Sequence, residues 1–392
     1  MTRLALLAAI PSLLLAAPVS AQTGDVIFFH PDGASASHWA AARMIEHGPD
    51  GALNWDRLPA IGVYTGHTAD SLTSSSHGGA TIHAYGVKVV RDSFGMNGRE
   101  PVVAASGQAM SIMQEAQAAG RAVGVVQTGH LAEPGTAVFL ASVERRNMRE
   151  DIALQVLESG AAVIMGGGER LLRPAGAQGV HGEGGRADGR DLIAEAEAAG
   201  YTVVYTADEL AALDLEAVDK LLGVFAWEDT YSAQTEEENA EAGLPNYDPA
   251  SPSVAAMSQA ALAVLSKDPD GFFLVVEEEG TDNFANNNNA QGTIEALLRA
   301  DEAIGVFADH VAANPETLLI MAADSNAGGL SVVGPSAAEM LAVAPLGDLP
   351  AEMRNGAPLD GVDGTGTRFF ESAPDAEGVS HRFGVSWSGF AD

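Results

Sequence analysis

Residues 272–282 read Phe272-Phe273-Leu274-Val275-Val276-Glu277-Glu278-Glu279-Gly280-Thr281-Asp282. Five apolar residues in a row end in the carboxylate Glu277, and Asp282 follows five positions later. An unbroken apolar run of this length predicts a strand buried on both faces, the kind that builds parallel sheets covered by helices. The same pattern recurs at residues 26–29, followed by Asp32, and at residues 318–322, followed by Asp324. Three strands thus each deliver an acid to one edge of a sheet, and in parallel sheets functional groups gather beyond the carboxyl ends.

Further apolar runs at residues 60–64, 123–127, 162–165, 202–205 and 222–225 predict more strands. Helical patterns at 38–46, 110–119, 151–158, 191–199, 254–265 and 294–312 alternate with them. The expected fold is therefore α/β, with a doubly wound, mainly parallel central sheet and helices on both faces. Residues 166–189, rich in Gly and Arg, read as a long surface loop. Residues 334–379, with Pro and Gly throughout, read as an inserted lid or crown-like segment.

The chain has 392 residues, 46% of them hydrophobic, enough for a large core. Its formal charge of -33 disfavours a nucleic-acid platform, because phosphate backbones are repelled at long range. With no cysteine there is no disulfide, thiolate ligand or thiol nucleophile. Arg3, the apolar run 4–17 and the small residues Val19-Ser20-Ala21 have the layout of an export signal cleaved after Ala21. No later segment suits a membrane span, so the expectation is a periplasmic or secreted single domain over 22–392.

Four carboxylates crowded into one crevice repel one another and resist desolvation unless cations neutralise them, which points to polyvalent metal ions. A nucleophile candidate lies in Thr73-Ser74-Ser75-Ser76-His77-Gly78-Gly79-Ala80-Thr81. Small residues after a hydroxyl let helix N-terminal N–H groups approach an anion closely, and a serine there could be activated by a metal without a histidine base. A capping and turn cluster would use the same residues.

These residues, together with Asp25-Val26-Ile27-Phe28-Phe29-His30-Pro31-Asp32-Gly33, Ala41-Ala42-Arg43 and Leu221-Leu222-Gly223-Val224-Phe225-Ala226, resemble the alkaline phosphatase family from Asp25 to near the C-terminus. The resemblance implies that Ser76 is the nucleophile that becomes phosphorylated, since Gly78-Gly79-Ala80-Thr81 and Gly86-Val87-Lys88 follow at the family spacing. Ser71, in an Asp70-Ser71 pair like the family's, is the alternative. By the same resemblance Asp32 bridges the second and third metals, Glu277 serves the third, Asp282 and His381 the first, and Asp324 the second. Glu133 falls at a third-site position, while Gly135 stands where the family has a hydroxyl ligand, so Thr136 or Glu133 would substitute. Arg146, or else Arg145, matches the arginine that clamps phosphate through two parallel N–H bonds.

Two departures follow. Asn286 and Ser325 replace two family histidines, making the site oxygen-rich. Two or three divalent cations are implied, zinc and magnesium by resemblance, with magnesium, calcium or manganese suited to the oxygen-rich positions. His30, His38, His67, His77, His83 and His130 lie in segments that approach the crevice, with His77 singled out because it adjoins Ser76. The chain ends soon after His381, short of the family's usual closing segment, as in either a short natural form or a C-terminally incomplete sequence. The expected activity is hydrolysis of small-molecule phosphate monoesters through a phosphoserine. The rivals are a phosphodiesterase or sulfatase of the same superfamily and a non-catalytic phosphate- or metal-binding relative. A homodimer is expected from the family's habit.

Overall fold

The structure, a computed structural model, describes residues 24–333 and 367–388. Seven parallel strands form the central sheet: β1 (Val26–Pro31), β2 (Ala122–His130), β3 (Val163–Gly167), β4 (Thr202–Val204), β5 (Leu221–Val224), β6 (Phe272–Glu278) and β7 (Leu318–Met321), in the order β4-β5-β3-β2-β6-β1-β7. Side chains alternate across each strand, so Phe28, Phe273 and Val275 enter one core while Ile27, Phe29, Leu274 and Val276 enter another on the opposite face. Burial on both faces is why these strands carry no polar alternation.

The helices among the described residues are α1 (Ala36–His47), α2 (Ser76–Tyr85), α3 (Ile112–Ala118), α4 (Pro134–Ala137), α5 (Arg149–Glu158), α6 (Leu192–Ala198), α7 (Ala207–Ala211), α8 (Glu236–Ala242), α9 (Val254–Leu265), α10 (Gly280–Asn286) and α11 (Ala290–Ala313). Residues of α2, α3, α5 and α6 pack one core; those of α1, α9 and α11 pack the other. None of the described helices is long and apolar enough to cross a membrane.

Seven of the eight expected strands form. Residues 60–64 do not: they lie in an exposed loop, with Ile61 94% and Val63 97% accessible. Pro59 before the run and Gly62 within it interrupt backbone pairing, and a strand signal without a neighbouring ladder is not a strand. The 166–189 stretch is irregular as expected but is pinned: buried Glu169 accepts the backbone N–H groups of Val180 and His181 at 2.9 and 2.6 Å. Buried Arg186 donates to the carbonyls of Glu150 and Leu171 at 3.0 and 2.9 Å.

After β7 the chain builds a separate antiparallel sheet from β8 (Ser331–Val333), β9 (Thr367–Glu371) and β10 (Arg382–Ser386), in the order β8-β10-β9. Phe383, Val385 and Trp387 pack it against Ala41 of α1 and Ala285 of α10. Most of the expected insertion, 334–366, lies outside the described residues, as do the expected signal segment and the last four residues.

Candidate active site

All seven central strands are parallel, so their carboxyl ends share one edge, and β6, β1 and β7 are immediate neighbours there. The β1–β6 register sets His30 beside Glu277. Asp32 and Glu277 are fully buried, and Glu279, Asp282 and Asp324 are nearly so. His30, itself fully buried, stands among them: its Nε2 is 3.7 Å from Asp32 Oδ1 and 3.6 Å from Asp324 Oδ1, and its Nδ1 is 3.4 Å from Glu277 Oε1. One ligand atom each from His30, Asp32 and Asp324, or from Asp32, Glu277 and Glu279, fits within 4.8 Å of the others.

No oxygen of Asp32, Glu277 or Asp324 is hydrogen-bonded within the described residues, and neither is Glu279 Oε2. Carboxylate oxygens buried without a donor are expensive. A divalent cation relieves that cost, so these residues fit the ions that their sequence pattern suggests, and their donor set is mostly oxygen. The electrostatics agree. Burial, then the charges of Asp324 and Asp282, pushes Asp32 well above the ordinary carboxylate range. Burial together with Glu133, Glu277 and Asp282 does the same to Glu279. Burial opposes protonation of His30, but the close carboxylates of Asp324 and Glu277 outweigh it and push the imidazole up to about 10. Asp324 goes the other way: contact with Asp32 and the charge of His30 outweigh burial and hold it well below the ordinary carboxylate range.

Ser76 opens α2. Ser75 caps the helix: its Oγ accepts the Gly78 N–H at 3.2 Å and donates to the Arg91 carbonyl at 2.6 Å. Gly79 has a steric reason, since a Cβ there would lie 2.6 Å from the Asp324 Cβ. The glycine lets the start of α2 close on Asp324. Ser76 lines a cavity of about 330 Å³ together with Arg146, Asp282 and Asn286. Glu133, His130, Asp229 and Arg149 form another part of its wall.

That part of the wall is internally paired. Glu133 Oε1 lies 2.8 Å from His130 Nε2, and its Oε2 accepts from Arg146 Nη2 at 3.2 Å. Burial alone would raise the Glu133 pKa, but the positive charges of His130 and Arg146 hold it at about 2. Arg149 and Arg170 both donate to Glu228. Burial raises Asp229 to about 6, and its Oδ1 accepts the His130 N–H at 3.0 Å.

Asp32, Glu277, Asp282 and Asp324 thus meet as the sequence suggests, with Ser325 next to Asp324, and Ser76 and Arg146 face a common cavity. The other expected site residues are placed as follows. His381 is not brought to the cluster: its side chain is half exposed, its Nε2 meets Asp375 Oδ2 at 2.6 Å, and it precedes β10 in the separate sheet. The adjoining Ala373 N–H binds the Met44 carbonyl near the C-terminal end of α1, the end remote from the strand edge where Asp32 lies. Glu133 is paired with His130 and Arg146, and one ligand atom each from His130, Glu133 and Asp229 also fits within 4.8 Å of the others. Asn286 donates its amide to Asp282 Oδ2 at 2.7 Å while its Oδ1 accepts the Gly328 N–H, so it braces Asp282. Ser71 sits in a turn before α2, with its Oγ 3.3 Å from Thr73 Oγ1. Arg145 points to no part of the cavity wall and is exposed. Thr136 is buried, and Gly135 leaves room: a Cβ there would fall 1.7 Å from Glu277 Oε1 and 2.3 Å from His30 Nδ1.

Sequence reasoning missed Glu279, Asp229, Arg149 and Glu228, and could not rank His30 or His130 among six histidines. Glu279 carried a usable signal: two residues beyond Glu277, it falls on the same face as a continuing strand would place it. Glu228 and Asp229 lie on a loop and Arg149 at the first turn of α5, so their positions depend on packing.

The architecture has known counterparts. The family model described as alkaline phosphatase matches residues 23–348. The membrane-bound alkaline phosphatase of Bombyx mori is 27% identical over 338 residues, covering 76% of this chain and 60% of that protein. The tissue-nonspecific isozyme of Rattus norvegicus is 28% identical, covering 76% and 62%. The crystal structure of Thermus thermophilus alkaline phosphatase superposes with a TM-score of 0.66 at 30% identity, covering 83% of this chain and 65% of that one. The chain spans about three fifths of the length of these two curated relatives. Its parallel sheet, its acid-lined strand edge and a family model matched along most of its length lead to one assignment: the chain belongs to the alkaline phosphatase family.

Proposed function

We propose that the chain hydrolyses phosphate monoesters through a phosphorylated Ser76. The observation that supports this most is that Ser76, at the N-terminus of α2, shares a cavity wall with Arg146 and Asp282, while Asp324 packs against Gly79 one turn inside the same helix. Asp32, Asp282 and Asp324 would hold divalent cations, with Glu277 and Glu279 completing the acidic lining; magnesium, manganese or calcium suits so many oxygens, and zinc is the family alternative. Such ions, when bound, neutralise phosphate charge and lower the pKa of a serine hydroxyl.

The chain's own groups supply the rest. Arg146 would hold two non-bridging phosphate oxygens with parallel N–H bonds, and Glu133, paired to it, fixes the guanidinium in place. The α2 N-terminus directs its dipole and free N–H groups at the incoming anion. Ser76 gives its hydroxyl proton to water and its Oγ attacks phosphorus in line; the P–O ester bond breaks and the leaving oxygen takes up a proton from water, and a second water later cleaves the phosphoserine, its proton returning to Ser76 as phosphate leaves. The local positive groups also explain how a chain of charge -33 can accept an anionic ester.

The test is acid-quench trapping with radiolabelled aryl phosphate in the presence of magnesium or zinc. A phosphoserine mapped to Ser76, and its loss with turnover in Ser76→Ala, is the expected result. Label on Ser71, or turnover unaffected in Ser76→Ala, rejects the reading.

A further inference from the structure

His30 stands one residue before Pro31 at the carboxyl end of β1, in the middle of the acidic cluster. Neither ring nitrogen is hydrogen-bonded within the described residues, though the side chain is wholly buried. Its Nε2 faces both Asp32 Oδ1 and Asp324 Oδ1, at 3.7 and 3.6 Å. Those spacings suit ligands that share one ion, because bonds of about 2.1 Å at a tetrahedral angle separate ligand atoms by about 3.4 Å. Its Nδ1 faces Glu277 Oε1 at 3.4 Å. A metal-bound histidine commonly presents its second ring N–H to a carboxylate, which selects the tautomer and fixes the ring plane.

Two features of the chain converge on this arrangement. Ser325, after Asp324, offers no imidazole to an ion held by Asp324, so a nitrogen ligand there would come from another segment, and His30 is the imidazole within reach. Gly135 is what makes the His30–Glu277 pair sterically feasible, since any Cβ there would collide with both partners. Absence of a side chain at 135 and presence of an imidazole at 30 fill the same space.

We propose that His30 Nε2 is a ligand of the cation held by Asp32 and Asp324, and that Glu277 is its orienting carboxylate rather than a ligand of a third ion. The site then holds an imidazole relocated from the segment after β7 to the end of β1. This rests on the metal-dependent reading above.

The experiment loads the full chain with Mn²⁺ alone and records pulsed electron paramagnetic resonance for ¹⁴N coupling, with bound manganese counted by elemental analysis. The expected result is coupling from a directly bound imidazole in the native protein that disappears in His30→Gln and persists in His83→Gln. His83 is the informative control, because its ring centroid is 5.5 Å from that of His30 and its nitrogens are also without hydrogen bonds. Glu277→Gln should keep the bound manganese count and weaken affinity about 10–100-fold; loss of one manganese equivalent in that variant overturns the orienting role. Coupling that survives in His30→Gln, or is missing from the native protein, overturns the ligand assignment. If His30→Gln does not fold, the Glu277→Gln count and the native spectrum still decide. Native protein that shows the nitrogen signal yet cleaves no phosphate monoester defeats the hydrolase reading alone; turnover without the signal defeats this inference alone.

Discussion

The wall around Glu133 and the wall around Asp32 face the same chemistry with opposite solutions. Around Glu133 the acids meet cations built into the chain: His130 and Arg146 for Glu133 itself, Arg149 and Arg170 for Glu228. Around Asp32, four further carboxylates gather about one imidazole, and those of Asp32, Glu277 and Asp324 accept no hydrogen bond. The first wall is neutralised as the chain folds and can hold a guanidinium steady for substrate. The second is left short of positive charge and must draw it from solution. His130, Glu133 and Asp229 could still share an ion, but the need for one is greater where internal counter-charge is short.

The largest effect should come from the Asp32 side. Asp32→Asn or Asp324→Asn is expected to lower turnover of an aryl phosphate by at least about 10³-fold at saturating magnesium or zinc, several kcal/mol of transition-state stabilisation being lost. In chelated protein at pH 8, Asp32→Asn should instead raise the urea midpoint. The carboxyl's pKa is raised in the folded state, so its ionisation at that pH opposes folding, and the amide removes the penalty. A lower midpoint in that variant would mean that the two walls are balanced alike.

Glu133→Gln should behave in the opposite sense. Removing one partner of a buried, paired group costs about 3 kcal/mol in urea unfolding, with or without metal, because Arg146 and His130 lose the charge of that carboxylate. The folded pKa of Glu133 is depressed to about 2, so its contribution is present above the ordinary carboxylate pKa and fades as pH falls from about 4.5 toward 2. The difference between native and variant should shrink over that window; a difference independent of pH would sever Glu133 from its cationic partners.

The smallest change sets the background. His38, buried on α1 outside both walls, accepts the Ser35 N–H on Nδ1, and burial lowers its pKa to about 4. Its neutral form therefore adds stability that is full above about 6.5 and is lost as pH falls toward 4. His38→Gln should flatten the dependence of melting temperature on pH in that range and leave the metal-induced rise in melting temperature in place.

Runs of apolar residues buried on both faces were legible as strands, and because β1, β6 and β7 end in acids, Asp32, Glu277 and Asp324 could be placed on one edge before any coordinates. Their adjacency was not legible: β1 lies between two strands made much later in the chain, an order that no local pattern encodes. Residues 60–64 misled because apolar character says nothing about whether a hydrogen-bonding neighbour exists. His381 misled for a related reason. Its place depends on how β10 pairs with β8 and β9 and packs on α1, and spacing along the sequence does not determine that docking. The pairing of Glu133 with Arg146 was likewise invisible, since it depends on where the loop before α5 turns.

The position of β1 has a consequence for biosynthesis. Asp25, at its start, hydrogen-bonds to the Phe272 N–H 247 residues further along. At ordinary translation rates of about 5–20 residues per second, ribosomes release that partner only on the order of ten seconds to a minute later. During that interval Ile27, Phe28 and Phe29 have no sheet to join, so the nascent polypeptide exposes a sticky segment that a holdase would be expected to bind, and β7, made later still, is the last strand to add beside β1.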